Sequence, residues 1–218
     1  MCSHINWCLN KRWADSHIPC VLMLLSDMGM FRYNPFIHEL TEARFRARRL
    51  LSKYNSTPIP DETAPDELRA DREAILDQLL GSVGSNIHLE PPIFVDYGCN
   101  ISVGNNFYAN FHTTMLDCSL IIIGDRVSFG PNVSILGATH ETSVQSRRDG
   151  LEFAREVLIA NDCWIGGGVT ILAGITIGEG CTIGAGAIVT KNIPPFSVAV
   201  GIPARVVKIV EPAAAIST

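Results

Sequence analysis

The sequence predicts a mainly β protein: a parallel β-helix preceded by a small helical domain. Three observations carry the prediction. Ile159, Ile165, Ile171, Ile177, Ile183 and Val189 recur at a strict step of six. Glycine directly follows three of them, as Gly166, Gly178 and Gly184. The fourth residue after each aliphatic, from Cys163 through Val169, Ile175, Cys181 and Ala187 to Ile193, is small or apolar. A step of six matches neither the 3.6 of a helix nor the 2 of a half-buried strand. Fixed self-similarity of this kind marks a solenoid, in which short strands and turns coil and stack. The aliphatic faces inward, the small residue fills the corner, and glycine permits the bend. Three hexads close one coil, so Cys163 and Cys181 lie one coil apart and are expected to stack.

The elements follow in order. Residues 1–28 carry no readable pattern and are expected to form a variable, poorly ordered extension. Within them Ile18-Pro19-Cys20-Val21-Leu22-Met23-Leu24-Leu25 follows Lys11 and Arg12 and loosely imitates a secretory leader. Its apolar core is short and no small-residue cleavage site follows, which argues against export. Residues 29–84 read as a helical domain. Glu39 to Tyr54 is rich in helix formers and carries Arg44, Arg46, Arg48, Arg49 and Lys53, either a solvated face or one for an anionic partner. Asn55 to Pro60 is a breaker-rich link. Thr63, Pro65 and Asp66 then start a second helix. Its stripe of Leu68, Ile75, Leu76, Leu79 and Leu80 is apolar and ends at Gly81 and Gly84.

Residues 85–210 form the β domain, with the pattern established from Glu90-Pro91-Pro92. Val103, Ala109, Met115 and Ile121 keep the step of six; the phase then slips by two, to Ile123, Phe129 and Ile135. Residues 141–156, ETSVQSRRDGLEFARE, are charged and lack the aliphatic step. A solenoid can eject such a segment as a loop without disturbing its core. Val198 to Val210 closes the coils, with Gly201-Ile202-Pro203 as a sharp turn, and residues 211–218 form a tail.

The totals narrow the function. A chain of 218 residues buries a full core without disulfides or metal. Hydrophobic content of 47% and a mean hydropathy of +0.21 imply apolar surface covered in an oligomer. A net charge of −5, from 17 basic and 22 acidic residues, argues against nucleic-acid binding. Seven scattered cysteines without a CxxC pair read as thiols in a reducing cytoplasm. No apolar run reaches the ~18 residues of a membrane span. No metal-ligand cluster, P-loop, GxSxG or HExxH is present, so no metal is expected.

His140 is the leading catalytic candidate. It ends Ile135-Leu136-Gly137-Ala138-Thr139-His140, immediately before the ejected loop, where an imidazole can line a cleft and abstract a proton. A structural histidine is the alternative. Asn110, in Phe107-Tyr108-Ala109-Asn110-Phe111-His112, and Asp117, in Met115-Leu116-Asp117-Cys118, read as polar contacts or as turn residues. His112 reads as an exposed turn residue. Gly166-Gly167-Gly168 after Trp164 exposes backbone N–H groups suited to an oxyanion, although tight packing explains glycine as well. Thr190-Lys191, Arg205 and Lys208 put cations near the last coils, where phosphate binding and plain solvation are both open.

Several of these segments together resemble the hexapeptide-repeat acyltransferases, in particular the maltose, galactoside and nodulation-factor O-acetyltransferases. They are Phe107 to Phe111, Ala138-Thr139-His140, Ile165-Gly166, Ile188-Val189-Thr190-Lys191 and Gly201-Ile202-Pro203-Ala204-Arg205. With the helical region the resemblance covers about residues 29–210. It implies a left-handed parallel β-helix, a homotrimer with sites between subunits, acetyl-CoA as donor and a small-molecule acceptor. Matching motifs make His140 the general base and Asn110 a residue that orients the reacting groups. Asn34, Asp96, Asn110, Asp117 and Cys118 fall at acceptor positions. Asn110, Gly167, Ala185, Thr190, Lys191, Arg205 and Lys208 fall at CoA positions. The sequence departs from the pattern at Cys118, where galactoside enzymes carry a second aspartate, and at Gly167, where some members have serine. It departs again at Glu141, where many have proline, and at Asn34, where others have aspartate. These departures bear on the acceptor more than on the chemistry. The expected activity is O-acetyl transfer to a sugar or sugar-like hydroxyl. An amine or non-sugar acceptor and a non-catalytic trimeric scaffold remain the alternatives.

Overall fold

The computed structural model describes residues 31–212; the 1–28 extension and residues 213–218 of the tail lie outside them. The chain starts with β1 (Phe31–Tyr33) and continues through α1 (His38–Asn55) and α2 (Pro65–Leu79). Both helices lie where propensity and the apolar stripe predict them. Pro65 sits in the first turn of α2, where its missing N–H costs nothing. β1 departs from the helical expectation for residues 29–84. Phe-Arg-Tyr has strand-forming side chains, and a distant strand supplies its hydrogen bonds.

Six coils follow. The first runs through β2 (Ser82–Val83), β3 (His88–Leu89) and β4 (Ile93–Val95). The second has β5 (Ile101–Val103), β6 (Tyr108–Ala109) and β7 (Thr113–Leu116), and the third β8 (Ile121–Ile123), β9 (Ser128–Phe129) and β10 (Ser134–Leu136). The chain then leaves the prism through β11 (Ala138–Thr139), α3 (Val144–Arg148) and β12 (Glu152–Ala154). It returns for β13 (Val157–Ile159), β14 (Trp164–Ile165) and β15 (Thr170–Ile171), then β16 (Thr176–Ile177), β17 (Thr182–Ile183) and β18 (Ile188–Val189). Ile193 bridges back to Ile177 to open the sixth coil, which continues as β19 (Ser197–Val200). β20 (Arg205–Ile209) turns back antiparallel on β19.

Strands of successive coils stack in parallel into three faces. We number the faces in the order each coil visits them, and the edges by the face they leave. The hexad aliphatics form the core: Ile159, Ile165, Ile171, Ile177, Ile183 and Val189 are all buried, as are the corner residues Cys163, Val169, Ile175, Cys181, Ala187 and Ile193. Burying one such isoleucine contributes roughly 1.5–3 kcal/mol. Trp164 pairs with Thr182, so Cys163 and Cys181 stack as expected. Cys163 donates to the Gly178 carbonyl and Cys181 to the Pro194 carbonyl, both at 3.1 Å, and the closeness of the two thiols raises the pKa of Cys163 and lowers that of Cys181. Gly166 is fixed by the close approach of coils: a Cβ there would lie 2.6 Å from the backbone nitrogen of Ala185.

The phase slip has a geometric cause. In the second and third coils the repeat is 20 residues, since Ile101 pairs with Ile121. In the fourth and fifth it is 18, since Ile159 pairs with Ile177. The two extra residues sit at the third edge, between β7 and β8, where Asp117 and Cys118 lie. The helices cover the first coil: Tyr54 donates to the Leu89 carbonyl, and the Asn55 side chain exchanges two hydrogen bonds with the Ile93 backbone, both 2.9 Å.

Candidate active site

The segment ejected at the third edge is ordered, not a passive excursion. β12 pairs antiparallel with β11 on one side and with β1 on the other, making a three-stranded sheet outside the prism. Thr139 lies opposite Phe153, and Tyr33 opposite Glu152. One further step along that register sets His140 opposite Glu152. The imidazole is open to solvent, its side chain 56% exposed, with Nε2 3.9 Å from Glu152 Oε1. The other carboxylate oxygen, Oε2, accepts a 2.7 Å hydrogen bond from the Tyr33 hydroxyl. A small satellite core of Tyr33, Leu40, Tyr97, Cys118 and Ala154 lies beneath and joins α1 to the ejected segment.

Of the acceptor candidates, Asp96, Asp117 and Cys118 gather at the same edge, one coil below another. Cys118 is buried and its thiol donates to Asp96 Oδ2 at 3.3 Å. Burial, and next the Asp96 carboxylate, push that thiol well above the ordinary cysteine range, so it remains a donor. Tyr97 is held by Arg44, which donates to its hydroxyl at 2.8 Å and lies over its ring. Asn34 is exposed and its Oδ1 accepts the Phe36 N–H at 2.9 Å, closing the turn that enters α1. Asp117 corrects the sequence reading: it is 0% exposed and cannot touch an acceptor. Its carboxylate accepts the backbone N–H groups of Asp96 at 3.0 Å, Tyr97 at 2.8 Å and Asn100 at 3.3 Å. It locks the longer corner of the lower coils. Burial nonetheless raises its pKa to about 7.

A second group lies along the second edge. Asn110 is half-buried just after β6; its Oδ1 accepts the Phe111 N–H at 2.7 Å, and its own N–H reaches the Phe129 carbonyl at 3.1 Å. Gly167 and the exposed Ala185 follow above it on the same edge. Gly166 and Gly168 donate their N–H groups within the coils, whereas the N–H of Gly167 has no acceptor among the described residues. A Cβ built on Gly186 would meet nothing within 4 Å, so the surface there is open. Thr190 and Lys191 are exposed near the third edge, and Arg205 and Lys208 are exposed on β20. His140 therefore shares its edge with the acceptor candidates and with Thr190 and Lys191, while Asn110, Gly167 and Ala185 occupy a different edge of the same chain. His112, at φ +61° on the Asn110 edge, is the exposed turn residue expected.

Sequence reasoning missed the parts played by Tyr33 and Glu152. Their signal is long-range: two short strands 119 residues apart that pair only in three dimensions. No group of three His, Cys, Asp or Glu side chains among the described residues could hold a metal ion. No helix among them is long and apolar enough to cross a membrane.

Comparison with known proteins agrees with this architecture. Residues 32–84 match the maltose acetyltransferase hexapeptide capping motif, and residues 156–191 match the bacterial transferase hexapeptide model of six repeats. The galactoside O-acetyltransferase of Escherichia coli K12 is 40% identical over 78% of this chain and 80% of its own length. The crystal structure of a maltose O-acetyltransferase from Clostridium difficile 630 superposes with a TM-score of 0.78 at 45% identity, covering 83% of this chain and 93% of that one. A galactoside acetyltransferase in complex with coenzyme A gives a TM-score of 0.78 at 36% identity, covering 87% and 91%. The chain belongs to the hexapeptide-repeat acetyltransferases, in the family of the galactoside and maltose O-acetyltransferases.

Proposed function

We propose that the protein transfers the acetyl group of acetyl-CoA to a hydroxyl of a sugar or sugar-like small molecule, by direct attack within a ternary complex. The observation that carries this reading is the division of the site. His140 and the acceptor candidates lie along one edge, and Asn110, Gly167 and Ala185 along another. A homotrimer that packs one protomer's edge against its neighbour's joins the two halves into a single groove. In that groove Asp96 and Asn34 meet the acceptor, with Cys118 and Tyr97 behind them. Lys191, Arg205 and Lys208 face the CoA phosphates, and the open surface at Ala185 and Gly186 leaves room for the pantetheine chain. A relative of known structure was determined with coenzyme A.

His140 takes the hydroxyl proton as the oxygen attacks the thioester carbonyl. The Gly167 N–H donates to the oxygen that gains charge, and Asn110 holds the reacting groups in line. Collapse expels the CoA thiolate, to which His140 returns the proton. The Glu152 carboxylate faces one ring nitrogen at 3.9 Å and leaves the other free for the acceptor. The free cysteines, Cys99, Cys118, Cys163 and Cys181 among the described residues, fit a cytoplasmic location.

His140→Ala should lower kcat by roughly a hundredfold or more while coenzyme A still binds by calorimetry. The assay releases free thiol from acetyl-CoA against a panel of a galactoside, maltose, an amino sugar and a non-sugar alcohol. Turnover near the wild-type rate in the variant removes His140 as the base. Preference for the amino sugar's amine moves the reading to N-acetylation, and absence of coenzyme A binding leaves only a scaffold. Sedimentation as a 23.7 kDa monomer would break the shared groove.

A further inference from the structure

We propose that Tyr33 is a positioning residue for the reaction: it holds Glu152, and through Glu152 the orientation of His140. The inference rests on the assignment of His140 as base but adds a dependence of that base on the N-terminal strand. Tyr33, Glu152 and His140 form one row across the external sheet, from β1 through β12 to the end of β11. Side chains in such a cross-strand row lie on one face of a sheet. The carboxylate is shared along the row, Oε2 accepting from the Tyr33 hydroxyl at 2.7 Å and Oε1 facing His140 Nε2 at 3.9 Å. Tyr33 is buried, and burial pushes its ionisation far above the usual tyrosine range. It is a permanent donor, and the charged acceptor makes the bond a strong one.

The arrangement solves a mechanical problem. His140 stands at the root of a segment that leaves the prism, so the hexad core does not fix its ring. A carboxylate on the same segment would be no better fixed on its own. Tyr33 belongs to a different part of the chain, anchored by the satellite core to α1 and to Tyr97 and Cys118. Docking of β1 therefore sets the base, and the domain that covers the first coil becomes part of the catalytic apparatus.

The test is Tyr33→Phe, which keeps the ring and its packing and removes only the hydroxyl. It is measured in the full-length protein alone and combined with Glu152→Ala, with acetyl-CoA and whichever of the galactoside or maltose turns over faster. Tyr33→Phe should lower kcat by about tenfold with the KM for acetyl-CoA unchanged. Added to Glu152→Ala, it should cause no further loss, because the group it acts through is gone. The same variant should speed carbethoxylation of His140 by diethyl pyrocarbonate, because a released Glu152 uncovers Nε2, read by peptide mass spectrometry without any acceptor. A wild-type kcat and labelling rate in Tyr33→Phe overturn the proposal. An equal fractional loss with and without Glu152 also overturns it, and assigns Tyr33 to packing alone. If His140→Ala is inactive and Tyr33→Phe is normal, only the Tyr33 proposal falls; if both are normal, the base assignment falls as well.

Discussion

The fourth and fifth coils and the second and third are built on the same three faces, yet they differ at one edge. Above the ejected segment every edge is short and the repeat is 18 residues. Below it the third edge is longer by two residues and holds Asp117, Cys118 and, one coil down, Asp96 and Tyr97. The upper coils consist almost entirely of aliphatic columns and close-packed glycine. The lower ones carry a buried carboxylate and its ring of backbone donors. A solenoid gains stability from repetition, and any departure must be held in place by polar contacts made for it. The edge where this chain departs from its repeat is the edge that carries His140, Asp96 and Cys118.

That contrast can be broken experimentally. The largest effect is expected in the regular coils. Ile171→Ala removes a fully buried side chain stacked between Ile135 and Val189. It should cost about 2–5 kcal/mol by denaturant unfolding, with the kcat of the surviving folded protein little changed. A loss of activity without loss of stability would erase the distinction between the two regions.

Asp117→Asn should cost less and should do so in a pH-dependent way. Asparagine offers one acceptor oxygen where the carboxylate has two, so at least one of the three N–H groups is left short, at about 1–3 kcal/mol. Against this stands the titration of the native carboxyl. Its folded pKa is about 7, above the ordinary value of 3.8, so the folded state keeps a proton that the unfolded state has lost between about pH 4 and pH 7. Wild-type stability therefore falls through that window, by up to about 4 kcal/mol from this group, and levels off above it. The asparagine variant lacks this decline, so the gap between the two proteins should narrow as pH rises from 4 to 7. A gap constant with pH would mean that the carboxylate stays ionised throughout.

The smallest effect belongs to the first edge. Arg126 and Asp162 make a two-pronged pair there, at 2.6 and 2.9 Å, on neighbouring coils in full view of solvent. Water and salt screen such a pair, and Arg126→Ala should move the melting temperature by about a degree or less. A large drop would show that surface ladders, and not the inner columns, hold successive coils together.

Much of the molecule was legible from residue order. The six-residue column from Ile159 to Val189 dictated the prism, because one inward aliphatic per face leaves no other period possible. The basic helix former run from Glu39 to Tyr54 became α1 for equally local reasons. The slip after Ile121 was visible as an irregularity, but only the coordinates tie it to two extra residues at the third edge. His140 could be picked out because it stands where the pattern breaks, and Asp96 only through the resemblance to the family. Tyr33 and Glu152 could not, since strands of three residues carry almost no periodicity and their pairing spans 119 positions. The resemblance set Asp117 at an acceptor position, and nothing local reveals the three backbone donors waiting inside.

The two ends of the coil stack carry one more lesson. A stack of parallel strands exposes a fresh set of hydrogen-bonding groups at each end, and an identical molecule could in principle add there without limit. Here the Asn55 amide occupies the Ile93 backbone at one end, and at the other β20 lies antiparallel on β19, with Arg205 and Lys208 on the outermost strand. Side-chain hydrogen bonds at one tip and a reversed, cation-bearing strand at the other work against such end-to-end growth.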